Sequence, residues 1–215
     1  MTNQDSLNLD LEDFPVPGVI IPEKYLQKRR AVEVVSIILI SPVLFVAMLC
    51  ISVTILLFDR GAVFFIQKRP GRDGKLFSMY KFRTMLPDAD TSFLTSTHDR
   101  RVTKLGRLLR KYKLDELPQF INVLKGQMSI IGPRPVPEKF YHLYIDQIPH
   151  YSLRHTIRPG ITGWAQVQLG YTETLEDEKK KLSLDLEYIE NIGYSMDITI
   201  IKRTLRKFCR AGFTH

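Results

Sequence analysis

The chain has 215 residues, 44% of them hydrophobic and 25% charged. This composition is typical of one folded domain and excludes an intrinsically disordered chain. Its 31 Lys and Arg outnumber 23 Asp and Glu for a net charge of +8, which suits phosphates, an anionic membrane surface or nucleic acid.

The first 23 residues form an acidic, proline-punctuated extension with five acids and no base. Its role is left open between an adaptor, a partner site and a disordered segment. The order of residues does not match a secretory signal peptide. We therefore expect the apolar segment that follows to be retained.

The run from Val34 to Phe58 contains 25 residues without a charge. About 20 apolar residues suffice to cross the hydrocarbon core of a bilayer as a helix. The run therefore predicts membrane residence. The alternative, a buried core helix, would be unusual for a helix that is apolar on every side.

Two features of this run predict a re-entrant path, in which the helix enters the membrane and returns to the same face. The pair Ser41-Pro42 is expected to break or kink the helix, and basic residues, which mark the cytoplasmic side, flank the run at both ends. These are Lys24, Lys28, Arg29 and Arg30 before it, and Arg60, Lys68 and Arg69 after it. A kinked helix that spans the membrane is the alternative. The predicted regions are 24–58 for the membrane helix and 59–215 for the catalytic domain.

Two β-prone runs follow, Ala62 to Gln67 and Lys75 to Phe82, and the glycine-rich turn at 71–74 predicts that they form a hairpin. Strand alternation places Lys81 and Arg83 on the same face, where both can meet one diphosphate. The alternative is a solvated strand end. Residues 86–100 are polar and predict a surface loop.

Basic amphipathic patterns at 103–113 and near the C-terminus predict two helices suited to the surface of an anionic membrane. Surface helices that pack on the domain core are the alternative. Residues 172–191 predict a solvated helix that ends near Gly193.

Asp115 and Glu116 are adjacent carboxylates that follow the first basic helix and precede Pro118. Beside so many cations a carboxylate is expected to have a lowered pKa and stay ionised, as a nucleophile or magnesium ligand requires. Successive helical residues diverge by about 100°, so the two carboxylates are expected to serve different roles. The alternative is that both acids only favour a helix N-terminus.

Two further motifs carry arginines. The prolines around Arg134 hold its backbone rigid, and a guanidinium matches phosphate oxygens, although a stiff turn with an exposed arginine explains the same residues. Arg158 opens a glycine-containing segment that ends near Trp164, the only tryptophan. This segment is either a ligand loop or a turn anchored by an aromatic ring.

Taken in order, seven short motifs resemble the monotopic phosphoglycosyl transferases, or bacterial sugar transferases, from about Lys28 to Lys207. They are the apolar run with Ser41-Pro42, QKRPG (67–71), YKFRTM (80–85), LDELPQ (114–119), NVLKG (122–126), GPRP (132–135) and RPGITGWAQV (158–167). The resemblance implies a small catalytic-domain-only form with an α+β, mainly α fold. It also implies a re-entrant helix hairpin and an active site at the cytoplasmic face of the bacterial inner membrane.

The family's chemistry implies that Asp115 attacks the sugar-bearing phosphate of a UDP-sugar, releases UMP and forms an aspartyl-phosphosugar intermediate, which undecaprenyl phosphate then attacks. This would be the first membrane step of surface glycan synthesis. Glu116, with Asp115, would hold Mg²⁺, or Glu116 would assist deprotonation of the acceptor. Lys81, Arg83, Arg134 and Arg158 would bind phosphates or the nucleotide.

The expected partners are the two substrates, membrane lipids, a second copy of the chain and, through the N-terminal extension, polysaccharide assembly proteins; nucleic acid is not expected. Two departures from the family pattern are Gln127, where many relatives have an acid, and Gln168, where many have Asn. The alternative functions are an adaptor that binds anionic lipid or nucleic acid, and a scaffold for polysaccharide assembly.

Overall fold

A computed structural model describes residues 21–59, 61–86, 99–169 and 174–213, with side chains described up to residue 209. The acidic extension up to residue 20 and most of the polar loop at 86–100 therefore lie outside the described residues. Helices and strands alternate irregularly along the chain, and the predicted mainly helical α+β class is confirmed. The helices are α1 (Glu23–Phe58), α2 (Lys104–Lys111), α3 (Gln119–Leu124), α4 (Glu138–Gln147), α5 (Trp164–Gln168), α6 (Leu175–Glu190) and α7 (Tyr194–Phe213). The strands are β1 (Phe64–Pro70), β2 (Leu76–Phe82), β3 (Ser129–Ile131) and β4 (Gly160–Thr162).

The apolar run forms most of α1, which has 36 residues and continues through Ser41 and Pro42. Proline cannot donate a backbone hydrogen bond to the carbonyl four residues earlier, which here belongs to Ile38. The hydroxyl of Ser41 donates to that oxygen instead, over 2.7 Å. The predicted break is therefore not a gap in the helix, and the re-entrant path remains a prediction.

Most of α1 projects its apolar side chains away from the rest of the fold. Among the described helices it is the one long and apolar enough to cross a membrane, and only 6% of its most apolar window is buried. Leu26, Glu33, Ile37 and Ile55 are its buried residues. A helix in the core of a soluble domain would be buried along most of its length, so that alternative is wrong.

The predicted hairpin is confirmed, although its first strand begins two residues later and ends three residues later than predicted. β1 pairs antiparallel with β2, Phe64 lies opposite Phe82, and Lys81 lies opposite Phe65. A short 3-10 turn at Arg72–Gly74 joins the strands. Phe77 and Met79 of β2 pack in one cluster with Ile37 of α1, so the hairpin rests against the membrane helix.

A second, parallel sheet of two strands was missed by the sequence analysis. β3 and β4 pair with Ser129 opposite Gly160 and Ile131 opposite Thr162. A Cβ at Gly160 would lie 2.1 Å from the Gly132 nitrogen, so the close approach of the two backbones requires glycine there. This pairing brings the GPRP motif beside the segment that begins with Arg158.

The largest hydrophobic core lies around α6, whose Leu182, Leu186 and Tyr188 pack with Trp164 and Tyr151. The prediction of a helix here is confirmed, and the Thr174–Asp177 capping box fixes its start. The prediction that this helix is solvated is wrong. The prediction treated all charged residues of this helix as exposed, whereas Glu178 and Asp185 are buried.

Candidate active site at the Asp115-Glu116 pair

The Asp115-Glu116 pair lies on a tight turn between α2 and α3. Lys113 has a left-handed backbone conformation with φ of 54°, and a single 3-10 turn spans Leu114–Glu116 before α3 begins. Leu114 packs toward a small core that contains Ile55 of α1. The apolar neighbour thus anchors the turn, and both carboxylates are buried, with 7% and 8% of their residue surfaces exposed.

Glu116 is held by two cations from different parts of the chain. Arg134 donates from Nη1 to Oε2 over 3.2 Å and from Nη2 to Oε1, and Lys81 Nζ lies 3.3 Å from Oε1. Burial by itself would raise the pKa of Glu116, but the charges of Arg134 and Lys81 outweigh it and hold the pKa well below its usual range. Glu116 is therefore ionised at physiological pH.

Asp115 has a different environment from its neighbour. Its Oδ1 atom is buried and has no hydrogen-bond partner among the described residues. Burial raises the pKa of Asp115, the Lys81 charge opposes the rise, and the charge of Glu116 adds to it. The predicted lowering of the pKa is confirmed for Glu116 and wrong for Asp115, because Lys81 and Arg134 both contact Glu116.

Lys81 completes this cluster from β2. Burial lowers the pKa of Lys81 to about 8, against the opposing effect of Glu116. The Lys81 ammonium group therefore begins to lose its proton at mildly alkaline pH. The cluster is therefore sensitive to pH on the alkaline side.

Arg69 is a site residue that the sequence analysis missed. Its Nη1 donates to the carbonyl of Pro135 over 2.6 Å. Pro135 directly follows Arg134, the residue that pairs with Glu116. Burial, followed by the Arg134 charge, lowers the pKa of Arg69 to about 9. Two features could have indicated Arg69: it belongs to the QKRPG motif, and it lies on β1, which pairs with β2, the strand that contains Lys81.

A buried network supports the backbone of Arg134 from behind. Arg154, with 1% of its surface exposed, donates from Nη2 to the Arg134 carbonyl over 3.0 Å and to Asp185 Oδ2 over 2.6 Å. Its Nη1 donates to Glu178 Oε1 over 3.0 Å. No short motif indicated this network, since its members lie far apart in the chain.

Two predicted phosphate-binding arginines contact other parts of the chain. β2 ends at Phe82, and Arg83 lies against the end of α1, where Nη2 donates to the Asp59 carbonyl over 3.2 Å. Arg158 donates from Nε to the Gly126 carbonyl over 2.8 Å, at the far end of α3 from Glu116. The six residues of α3 lie between Glu116 and Gly126.

The carboxylates of the dyad fit a magnesium ion only together with a substrate phosphate. Within the described ranges, no group of three or more His, Cys, Asp and Glu side chains is arranged to hold a metal. Magnesium is, however, commonly bound through one or two carboxylates and the oxygens of substrate phosphates. Asp115, whose Oδ1 has no hydrogen-bond partner among the described residues, and Glu116 are the carboxylates that would hold such an ion.

Comparison with known proteins gives the family. The family model described as bacterial sugar transferase matches residues 24–211. A protein from Aeromonas hydrophila named UDP-N-acetylgalactosamine-undecaprenyl-phosphate N-acetylgalactosaminephosphotransferase is 38% identical over 192 residues, which are 88% of this chain and 45% of the relative.

Two further relatives carry the name UDP-glucose:undecaprenyl-phosphate glucose-1-phosphate transferase. The protein from Escherichia coli K12 is 43% identical over 203 residues, 92% of this chain and 42% of its own length. The protein from Caulobacter vibrioides is 36% identical over 195 residues, 89% of this chain and 72% of its own length.

The chain spans less than half the length of the Aeromonas and Escherichia proteins, and it covers most of the Caulobacter protein. The matched region contains the whole cluster built by Lys81, the Asp115-Glu116 pair and Arg134. The resemblance inferred from the seven ordered motifs is confirmed: this chain belongs to the bacterial sugar transferase family.

Proposed function

We propose that the chain is a phosphoglycosyl transferase that moves a sugar 1-phosphate from a UDP-sugar to undecaprenyl phosphate, giving an undecaprenyl-diphospho-sugar and UMP. The observation that carries the proposal is a buried carboxylate, Asp115, with an unpartnered oxygen beside the ion cluster formed by Glu116, Lys81 and Arg134. The names of the Aeromonas and Escherichia relatives include a UDP-sugar and undecaprenyl phosphate.

The charges of the cluster favour a diphosphate. Lys81, Arg134 and the nearby Arg69 supply three cations against the Glu116 carboxylate. Preorganised cations in a site with little water stabilise the charge that develops on transferred phosphoryl oxygens. We therefore place the diphosphate of the donor against Lys81 and Arg134.

Asp115 is the nucleophile in this proposal. Its Oδ1 forms a bond to the phosphorus that carries the sugar, and the bond from that phosphorus to the bridging oxygen breaks, releasing UMP. An oxygen of undecaprenyl phosphate then attacks the same phosphorus, and the Asp115 carboxylate leaves unchanged. A poorly hydrated carboxylate suits the first step, because less water must be removed from it.

Glu116 serves to position the cations and to hold magnesium in this proposal, rather than to take a proton from the acceptor. A carboxylate whose pKa is held far below neutrality is a weak base. When bound with the diphosphate, Mg²⁺ would neutralise phosphate charge. Asp115 and Glu116 are the residues that would hold it.

We also propose that α1 is re-entrant and that the active site faces the cytoplasm at the bacterial inner membrane. Both ends of α1 rest on the catalytic domain: Glu33 accepts from the Ile130 nitrogen over 3.0 Å, and Asp59, just beyond α1, accepts from Thr103 Oγ1 over 2.7 Å. The apolar stripe of α7 is exposed and suits a membrane interface; it consists of Ile198, Ile201, Leu205 and Phe208.

UMP release tests the proposed reaction. The chain in detergent or nanodiscs, with Mg²⁺, undecaprenyl phosphate and a panel of UDP-sugars, is expected to release UMP from at least one donor. Asp115→Asn is expected to abolish turnover, whereas Asp146→Asn, which changes an exposed carboxylate on α4, retains it. Turnover in Asp115→Asn near that of the parent would refute the assignment of the nucleophile.

Trapping the intermediate separates this enzyme from an adaptor or a scaffold. Incubation with the donor in the absence of the acceptor is expected to leave a phosphosugar adduct on the peptide that contains Asp115, seen by mass spectrometry. An unmodified peptide from protein of proven activity contradicts the covalent route. For topology, accessible tags at both ends of the chain are expected to report the same side of the membrane, and opposite sides would exclude the re-entrant path.

A further inference from the structure

A second cluster of arginines lies at the opposite end of α3 from the dyad. A shallow cleft there is lined by side chains from α1, the hairpin turn, β3 and the segment before β4. Four of the lining residues are arginines: Arg29, Arg30, Arg72 and Arg158. The proposed reaction does not use this cleft.

The carboxylates in and around the cleft already have partners. Glu33 accepts from Ser129 Oγ and from the Ile130 nitrogen and lies 3.8 Å from Arg29. Asp197 forms an ion pair with Arg29 at 3.1 Å. On the surface, Arg72 forms an ion pair with Glu23, the first residue of α1, at 2.6 Å. These acids contact two of the four guanidiniums, those of Arg29 and Arg72.

Of the four arginines that line the cleft, Arg30 and Arg158 have no carboxylate within 4.0 Å among the described residues. Arg30 Nη2 donates to the Leu124 carbonyl over 3.0 Å, and Arg158 Nε donates to the Gly126 carbonyl over 2.8 Å. Two cations at the C-terminal end of α3 favour that helix end. These contacts occupy one nitrogen of each guanidinium and no more.

The remaining nitrogens point to a ligand. Arg30 Nη1 is buried and has no hydrogen-bond partner among the described residues. Arg30 Nη2 lies 3.8 Å from the position that a Cβ of Gly126 would occupy, so both guanidiniums converge on one turn. Like charges in a partly buried site repel each other unless an anion lies between them, and guanidinium forks match phosphate oxygens.

The position along α1 indicates where that phosphate comes from. Arg30 precedes Val34, the first residue of the uncharged run, by four residues or about 6 Å of helical rise. When the run enters a bilayer, the cleft lies at the depth of the lipid phosphates. Basic groups at that depth attract anionic headgroups.

We propose that Arg30 and Arg158 bind the phosphate of an anionic phospholipid headgroup, at a site separate from the Asp115-Glu116 pair. The bound headgroup would place one negative charge between the two guanidiniums and would hold the start of α1 against the end of α3. The proposal rests on the membrane association of α1 within the proposed function, but it requires no turnover.

Lipid binding can be measured without activity by native mass spectrometry of the detergent-solubilised full chain. The parent is expected to retain phosphatidylglycerol in preference to phosphatidylcholine. The double variant Arg30→Gln/Arg158→Gln is expected to bind phosphatidylglycerol at least tenfold more weakly, because it removes both charged hydrogen-bond donors from the headgroup phosphate. The charge-matched control Lys139→Gln/Lys180→Gln removes two exposed cations elsewhere and is expected to bind like the parent.

Three outcomes would overturn the proposal. The first is equal retention of phosphatidylglycerol by the parent and the Arg30→Gln/Arg158→Gln variant. The second is a parent without preference between the two lipids. The third is competition by inorganic phosphate at an affinity equal to that of the lipid, which would assign the site to a free anion.

Two further variants separate a binding defect from other failures. Arg30→Lys/Arg158→Lys keeps both charges and is expected to recover part of the affinity, and circular dichroism checks that every variant is folded. Asp115→Asn is expected to retain the lipid fully. Loss of the proposed reaction and loss of the proposed lipid site are therefore distinguishable.

Discussion

The backbone carbonyl of Arg134 accepts a 3.0 Å hydrogen bond from Arg154. The same residue pairs through its side chain with Glu116. A guanidinium buried in the core thus holds the segment that presents a second guanidinium to the dyad. The position of Arg134 depends on contacts made more than 30 residues later in the chain, at Glu178 and Asp185.

Removing Arg154 is expected to cost much of the stability of the fold. Arg154→Met leaves Glu178 and Asp185 buried without their main cation, and breaking a buried pair in this way costs about 3–5 kcal/mol. Lys179→Met is the control, because it removes a partly exposed pair with Glu176 on the same helix and is expected to cost at most about 0.5 kcal/mol. Denaturant unfolding in detergent measures both, and similar losses would contradict a special role for Arg154.

Arg134 is expected to be sensitive even to lysine. Arg134→Lys keeps the charge but loses the two-nitrogen contact with Glu116, and we expect UMP release to fall by about ten- to a hundredfold, or about 1.4–2.7 kcal/mol. Arg206→Lys on the exposed face of α7 is the matched control and is expected to leave the rate unchanged. Equal rates for the two variants would show that charge alone suffices at position 134.

The pH dependence of turnover is expected to show an alkaline limb near pH 8. The Lys81 ammonium is charged below its pKa of about 8, so its attraction to Glu116 is present at lower pH and is lost as the pH rises through that value. Lys81→Arg keeps the cation to higher pH and is expected to move the limb upward. An unchanged limb in Lys81→Arg assigns it to another group.

Stability is expected to respond to Lys81 with the opposite sign. Its folded-state pKa of about 8 lies below the unshifted value of 10.5, so the unfolded chain binds more protons between these pH values. The Lys81 contribution to the free energy of unfolding therefore rises with pH from about 8 to 10.5. Comparing unfolding of the parent with Lys81→Met across this window isolates that contribution, and a falling difference would contradict it.

Gly160 is expected to tolerate no side chain. In Gly160→Ala the new Cβ would meet the Gly132 nitrogen at 2.1 Å, and the backbones of β3 and β4 would have to separate, at a cost of about 1–3 kcal/mol or more. Gly193→Ala is the control, since the nearest atom to its Cβ would be 3.9 Å away. The thermal unfolding temperature and the rate of UMP release are expected to fall in Gly160→Ala only. A Gly160→Ala protein with the stability and rate of the parent would argue against the close contact between the strands.

Features that depend on neighbouring residues followed from the sequence. The apolar run specified a long helix because 25 successive residues avoid charge, and the hairpin followed from two β-prone runs around a glycine turn. The pair Asp115-Glu116 was found because its spacing to the other motifs resembles one family. The helix and hairpin signals lie within a few dozen residues, and the family motifs follow one another along the chain, so none of them needs knowledge of distant contacts.

Features that depend on distant contacts emerged only in the folded chain. The three-residue strands β3 and β4 are too short to leave a periodic pattern, and their pairing joins residues 31 apart in the chain. The different environments of Asp115 and Glu116 depend on where Lys81 and Arg134 come to lie. The sequence therefore determines which charged groups are present. The tertiary structure determines which carboxylate lies next to the cations, because the attraction between charges depends on their distance and burial.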